Sequence, residues 1–188
     1  SLTHVIDRSF TETALIQRTT VRLSDTAGYR AFVLDAGGRL TRQDLVAELD
    51  ADGASADIFG VAALDGRDLV DYHTSIEHLL GGTKSQEIFR ILADDQATGV
   101  FNGRIHIVPG ADNSHSEMST GNMLLSENAR INSKPELEIH AEDVTASHGA
   151  TIGQLDDDAR FYLRSRGLSD SQALGLLKFG FCAAVFDD

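Results

Sequence analysis

Short β-prone stretches recur along most of this chain, and turn residues cut each one off before a helical crossover can form. Asp57–Leu64, Glu87–Leu92, Gly99–Val108 and Glu136–His140 are rich in Val, Ile, Phe and Leu, which suit a half-buried pleated surface. Asp65-Gly66, Gly81-Gly82, Pro109-Gly110 and Ser126-Glu127-Asn128 separate them, and such residues favour tight reversals. Strand starts recur roughly every 10 to 15 residues. A doubly wound sheet needs a long, usually helical, crossover between parallel neighbours, and none is legible from about residue 54 onward. A β-sandwich or barrel and a β-solenoid both fit this texture. Small residues at Ala62-Ala63, Thr98-Gly99, Ser119-Thr120-Gly121 and Gly149-Ala150-Thr151 suit the corners of a narrow coil, so the solenoid is preferred, although no strict repeat is visible. The expected fold class is mainly β, a parallel β-helix followed by C-terminal α-helices.

Thr41–Glu48 reads as a short helix, with Thr41 as cap, Asp44 at N3, and Leu45 and Leu49 on one face. The texture turns helical near residue 155, giving an expected β-helix core over 1–155 and a helical segment over 156–188. A first helix is expected from about Gln154 to Ser165, with Asp156, Asp157 and Asp158 in its first turn and Arg164 and Arg166 at its end. Gly167 offers a position after the C-cap. Ser169 is the expected cap of a second helix from Asp170 to about Val185, whose Ala173, Leu174, Leu177, Phe181, Ala184 and Val185 recur near the 3.6 period. The chain starts without Met and ends at Phe186-Asp187-Asp188 without a cap, so a piece of a longer protein is expected.

Composition narrows the function classes. The 188 residues carry a net charge of −13, which disfavours nucleic acid, since neutralising phosphates needs clustered Lys and Arg. No run of eighteen apolar residues marks a membrane span, and the start has neither the basic nor the apolar part of a secretory signal. A cytoplasmic location is expected. Cys182 is the sole cysteine, so an intrachain disulfide is excluded. One thiol cannot supply the four thiolates that usually hold an iron–sulfur cluster, so a cluster here would need ligands from a partner, from His or from carboxylates.

Motifs for phosphoryl transfer, dinucleotide binding and serine hydrolysis are missing from the sequence. Seven histidines are present, none at helical zinc-site spacing. His106 alternates with Ile105 and Ile107, and His140 opposes Ile139, which places both on solvated strand faces. Glu136 and Glu138 share a strand face, as solvated carboxylates commonly do. A polysaccharide-active β-helical enzyme wants aromatic platforms and paired carboxylates, and this chain has no Trp and three Tyr. No catalytic residue is expected. Val144–Thr151 stands apart, because it sets one imidazole, His148, among small residues. It reads either as a flat edge where a second backbone docks, with His148 held where two chains meet, or as a turn at a coil corner with His148 hydrogen-bonded locally.

Ser147–Asp156, followed by Phe161-Tyr162-Leu163-Arg164-Ser165-Arg166-Gly167, closely resembles the signature of the SufB/SufD family, in its SufD branch. Val100–Ala111, Asn122–Ser126, Lys134–Ile139 and Val70–Thr74 are similar to further blocks of that family, in the same order, and the resemblance runs from about Gly37 to Phe186. It implies a right-handed parallel β-helix and a non-catalytic scaffold of the SUF iron–sulfur cluster assembly system. SufB-like and SufC-like proteins are the implied partners, with ATPase activity in the latter, and a homodimer is implied for the isolated chain. No tightly bound cofactor is implied, only a transient cluster or iron within the complex. His148 matches the family's functional histidine, and Ser147, Gly149, Ala150 and Thr151 would form the interface around it. Phe161, Tyr162, Leu163, Arg164, Leu174, Leu177 and Phe181 fall in the SufC-docking helices. Many SufD sequences carry Cys two residues before that histidine, whereas here Ala146 removes the thiolate. A structural β-solenoid without a metal role is the competing reading.

Overall fold

The computed structural model describes residues 1–8 and 13–186. Among the described residues the chain folds as β1 (Leu2–Arg8), β2 (Ala14–Leu23), β3 (Gly28–Asp35), β4 (Leu40–Leu49), β5 (Ser55–Leu64), β6 (Leu69–His78), β7 (Lys84–Ala93), β8 (Thr98–Ile107), β9 (Ser114–Leu124), β10 (Arg130–Ile139) and β11 (Val144–Gln154), then α1 (Asp157–Ser165), α2 (Asp170–Ala183) and a 3₁₀ turn at Ala184–Phe186. Odd-numbered strands form one sheet, in the order β1-β3-β5-β7-β9-β11, and even-numbered strands form a second, in the order β10-β8-β6-β4-β2. All of these pairings are parallel. The chain therefore crosses from one sheet to the other and returns one coil further on, building a β-solenoid of about five turns.

Alternation along each strand decides which side chains fill the lumen. In β8 the inward set is Gly99, Phe101, Gly103, Ile105 and Ile107, all buried. Tyr29, Tyr72, Phe89 and Phe101 are the bulkiest fully buried side chains, and burying one such side chain contributes roughly 1.5–3 kcal/mol. Gly66, Gly82 and Gly110 take left-handed φ angles of 56°, 69° and 82° at the reversals expected from Asp65-Gly66, Gly81-Gly82 and Pro109-Gly110, a region where a Cβ is penalised.

The helix expected over Thr41–Glu48 is instead β4. Thr41, Gln43, Leu45, Ala47 and Leu49 alternate inward, and ladders to β2 and β6 hold the strand on both sides. Leu45 and Leu49, four apart, fit a period of 2 as well as 3.6, so their spacing could not separate the two states.

The lumen also holds polar groups, and most are partnered. His78 bonds the Thr83 hydroxyl at 2.7 Å through Nδ1 and Ser85 at 3.0 Å through Nε2. Thr83 and Ser85 in turn bond Ser114 and Ser116. Burial lowers the His78 pKa to about 4. Near the first coil, Arg8 meets Asp35 at 3.3 Å and also bonds Gln17 and Gln43, while Tyr72 donates to Asp35 at 2.5 Å. Glu87 differs: it is fully buried, and neither carboxyl oxygen nor the nearby Thr74 hydroxyl has a partner in bonding geometry. Burial pushes its pKa up to about 7, with the neighbouring Thr74 hydroxyl opposing.

The first helix begins later than expected, at Asp157, because β11 runs on to Gln154. Asp156 becomes its N-cap, accepting from the backbone N–H of Asp158 and Ala159. At the other end, Gly167 (φ 98°) and Leu168 donate to the Arg164 and Leu163 carbonyls, the paired bonds of a Schellman stop. Ser169 and Gln172 cap α2 reciprocally. Beyond α2, Val185 packs with Phe59 and Ile88 on the outer face of the six-stranded sheet, and Lys178 reaches Asp94 at 3.2 Å.

Candidate functional site

β11 is the last strand of its sheet and pairs only with β9 among the described residues. Its outer ladder of N–H and C=O groups is left without a neighbouring strand, the condition that lets another chain extend a sheet. Register assigns each β11 residue to a face. Ala146, His148 and Ala150 stand over the inward Ser116, Met118 and Thr120, whereas Ser147, Gly149 and Thr151 stand over the outward Glu117, Ser119 and Gly121. The five residues expected to act together, His148 with Ser147, Gly149, Ala150 and Thr151, are thus adjacent and exposed, but they divide between the two faces of one edge strand.

His148 lies mid-strand, not at a corner, in register with the 1 % exposed Met118. Its ring therefore tops an interior column at the open end of the coil stack, and among the described residues no hydrogen bond holds it. Ala146 packs half-buried against the core, so no thiolate stands two residues away. An accessible imidazole at such a position is a competent nitrogen ligand for a metal such as iron.

The helical residues singled out from the sequence are spread more widely. Phe161 and Tyr162 are 72 % and 56 % exposed, Arg164 is exposed, and Leu163, Leu174, Leu177 and Phe181 are half-buried. Arg160 and Arg164 both meet Asp170 across the turn, at 2.5 and 3.5 Å, and Arg166 stacks over Tyr162 at 5.1 Å. The two Asp170 pairs tie α1 to α2, and the side chains of Phe161 and Tyr162 stay in solvent. Phe179 and Leu176, which the sequence reading did not select, add to this exposed apolar surface.

A second cluster, on the outer face of the five-stranded sheet, also went unselected. Glu77, His106 and Glu138 are successive register partners on β6, β8 and β10, and His140 follows one residue beyond β10. His106 Nδ1 lies 2.6 Å from Glu77 Oε2, and its Nε2 lies 3.9 Å from Glu138 Oε1. His140 Nε2 is 3.2 Å from that same Glu138 oxygen. Arg104 holds Glu138 Oε2 at 2.7 Å and Glu77 Oε1 at 2.6 Å. Hydrogen bonds from Arg104, then His140, draw the Glu138 pKa down to about 2. For Glu77, burial alone would raise the pKa, but hydrogen bonds to Ser75 and His106 and the Arg104 charge lower it on balance.

Comparison with known proteins gives the family. The model of the SufBD core domain of SUF-system FeS cluster assembly matches residues 2–181. The iron–sulfur cluster assembly protein SufD of Escherichia coli is 34 % identical over 160 residues, 85 % of this chain and 37 % of that protein. A SufBD family protein of Synechocystis is 34 % identical over 174 residues, 92 % of this chain and 38 % of its own length. SufD of Bacillus subtilis is 32 % identical over 140 residues, covering 74 % of this chain and 32 % of that protein. The chain thus spans a little over a third of the length of the first two relatives.

Proposed function

This chain belongs to the SufBD core family of iron–sulfur cluster assembly proteins, and on that premise we propose that it is a scaffold subunit of a cytoplasmic SUF complex. Residues 1–155 form its β-helical pairing module and residues 156–188 its docking segment. The β11 edge joins a SufB-like partner, or a second copy when the chain is alone. The surface around Phe161, Tyr162, Leu163 and Arg164 on α1, with Leu174, Leu177 and Phe181 on α2, receives a SufC-like ATPase that supplies the energy. Iron, or a nascent cluster, is the cargo. It passes the seam where His148 offers a nitrogen ligand, and the chain itself carries out no catalytic step.

The observation that carries this reading is the free, small-residue edge of β11 with an unengaged imidazole at its middle. Small side chains at Gly149 and Ala150 let a second backbone approach to strand-pairing distance, about 4.8 Å, with little to displace. Ala146 favours a site at which the partner provides the thiolates and this chain provides nitrogen.

Cluster assembly in the reconstituted complex tests it. His148→Ala is expected to leave the complex assembled while cluster formation falls, and Ala150→Pro, which puts a ring and a missing N–H on the pairing edge, is expected to weaken the pairing itself. Unchanged cluster formation by the His148 variant would rule out a ligand role. If the Pro variant also paired as wild type, the edge would be wrong as well. Iron titration that shows no dependence on this subunit would favour a purely structural solenoid.

A further inference from the structure

The geometry points to a divalent transition-metal site on the outer face of the five-stranded sheet, made by His106 Nε2, Glu138 Oε1 and His140 Nε2, with Glu77 positioning His106. It is separate from the β11 edge and does not depend on the role proposed for that edge.

The case starts from His106. Its Nδ1 faces Glu77 Oε2 at 2.6 Å, so that nitrogen carries the proton and donates it. In the neutral ring Nε2 then holds a lone pair, and that lone pair faces another acceptor, Glu138 Oε1, at 3.9 Å. Two acceptors turned toward one another leave room for a cation between them. His140 Nε2 approaches the same oxygen at 3.2 Å, and the proton it donates there moves to Nδ1 or leaves when an ion takes its place. Its ring stands edge-on to that of His106, at 87° with centroids 5.7 Å apart. The three ligand atoms lie within 4.8 Å of one another. A tetrahedral ion at about 2.0–2.1 Å from each ligand needs them about 3.3 Å apart. The His140–Glu138 separation already meets this, while the 3.9 Å between His106 and Glu138 and the separation of the two imidazole nitrogens, within 4.8 Å, must shorten as the ion binds.

The surroundings divide the work. Arg104 ties down Glu138 Oε2 and Glu77 Oε1, which leaves Glu138 Oε1 for the ion and Glu77 Oε2 for the His106 ring. A carboxylate that takes the second N–H of a ligating histidine fixes its tautomer and raises its basicity. Two carboxylates against one guanidinium leave the neutral-histidine cluster with a net negative charge. Two imidazoles and one carboxylate select zinc, ferrous iron, cobalt or nickel over magnesium and calcium, and three protein ligands leave a coordination position to water or to a group brought by the metal.

The test is titration of the full chain with zinc chloride, and in parallel with cobalt(II) chloride, in a non-chelating buffer. One saturable equivalent is expected that the His106→Ala/His140→Ala double variant lacks and His148→Ala keeps. Cobalt absorption in the visible should report a four- or five-coordinate ion, and magnesium should not compete. Glu77→Gln should weaken zinc about 10-fold or more while keeping one equivalent, which marks a positioning role. NMR of the wild-type imidazole resonances gives a reading that needs no variant, since both rings should shift together on addition of zinc. The idea fails if the double variant binds zinc as wild type does, or if the two rings respond to pH but not to zinc. The latter would mean that a protonated His106 merely bridges Glu77 and Glu138.

Discussion

Phe89 lies over Gly60 in the register of β5 and β7, and its ring occupies the space a side chain at position 60 would take. A Cβ at Gly60 would collide with the Phe89 ring, while Phe89 itself is 1 % exposed and packs on Tyr72 and Phe101. The aromatic layer of the lumen therefore requires a missing side chain one coil away.

Gly60→Ala should destabilise by about 1–3 kcal/mol through overpacking. Phe89→Ala should cost about 3–5 kcal/mol through the cavity it leaves. The double variant should cost clearly less than the two together, since the new methyl group enters the vacated space. Urea midpoints of the four proteins form the cycle, and strict additivity would show that Phe89 does not rest on Gly60.

Two buried ionisable groups set opposite pH dependences. Glu87 titrates near 7 in the fold, against 4.5 without its surroundings. The unfolded chain therefore gives up this proton first as pH rises, and the contribution of Glu87 is full below about 4.5 and lost on approaching 7. His78 titrates near 4, against 6.5 unperturbed. The unfolded chain takes up this proton first as pH falls, so the His78 contribution is full above about 6.5 and lost toward 4. At about 1.36 kcal/mol per pH unit, each contributes at most on the order of 3 kcal/mol. Glu87→Gln should gain on wild type far more at pH 8 than at pH 4.5, read from urea midpoints at both. A gain independent of pH would show that Glu87 is not buried in its neutral form.

The Arg8–Asp35–Tyr72 group should behave as a unit. Asp35→Ala leaves a guanidinium that is 2 % exposed without its carboxylate, and a loss of about 3–5 kcal/mol is expected. Arg8→Met combined with Asp35→Leu should recover most of it, because the buried charge goes with its partner. Thermal melts of the wild type and the two variants decide the matter, and a double variant no better than the single one would mean that packing, not charge, sets the cost.

Ser169→Ala removes one half of the reciprocal cap of α2 and should cost about 1 kcal/mol. Because α2 sits outside the coil stack, the loss should appear as faster amide hydrogen exchange in α2, with β4 to β8 unchanged. Equal acceleration in those strands would tie the helix to the coils as one cooperative unit.

Much of the solenoid was legible because strand alternation and turn chemistry are local. Gly66, Gly82 and Gly110 mark their reversals by residue type alone, and Ser169 and Gly167 do the same for the helices. What stayed hidden is set by register. Coil spacing runs from 26 residues, Ala14 to Leu40, to 32, Thr98 to Arg130, and the turns absorb the difference, so no fixed repeat surfaces in the sequence. For the same reason nothing in the linear order says that His106 stands beside Glu138 and His140. The one signal in the sequence is that His106 and Glu138 fall on solvated strand positions, with His140 directly after the strand. β4 resembles a helix in sequence because an apolar pair four residues apart satisfies either period.

Each coil is laid on the one before it as on a template, so the solenoid behaves like a one-dimensional crystal and β11 is its growth face. Growth faces in folded proteins are usually poisoned by bulky, charged or proline residues. From Ala146 to Thr151 this one carries only small side chains and a single imidazole. A further strand laid on this edge would have little to displace, and that is the physical basis of the pairing proposed for it.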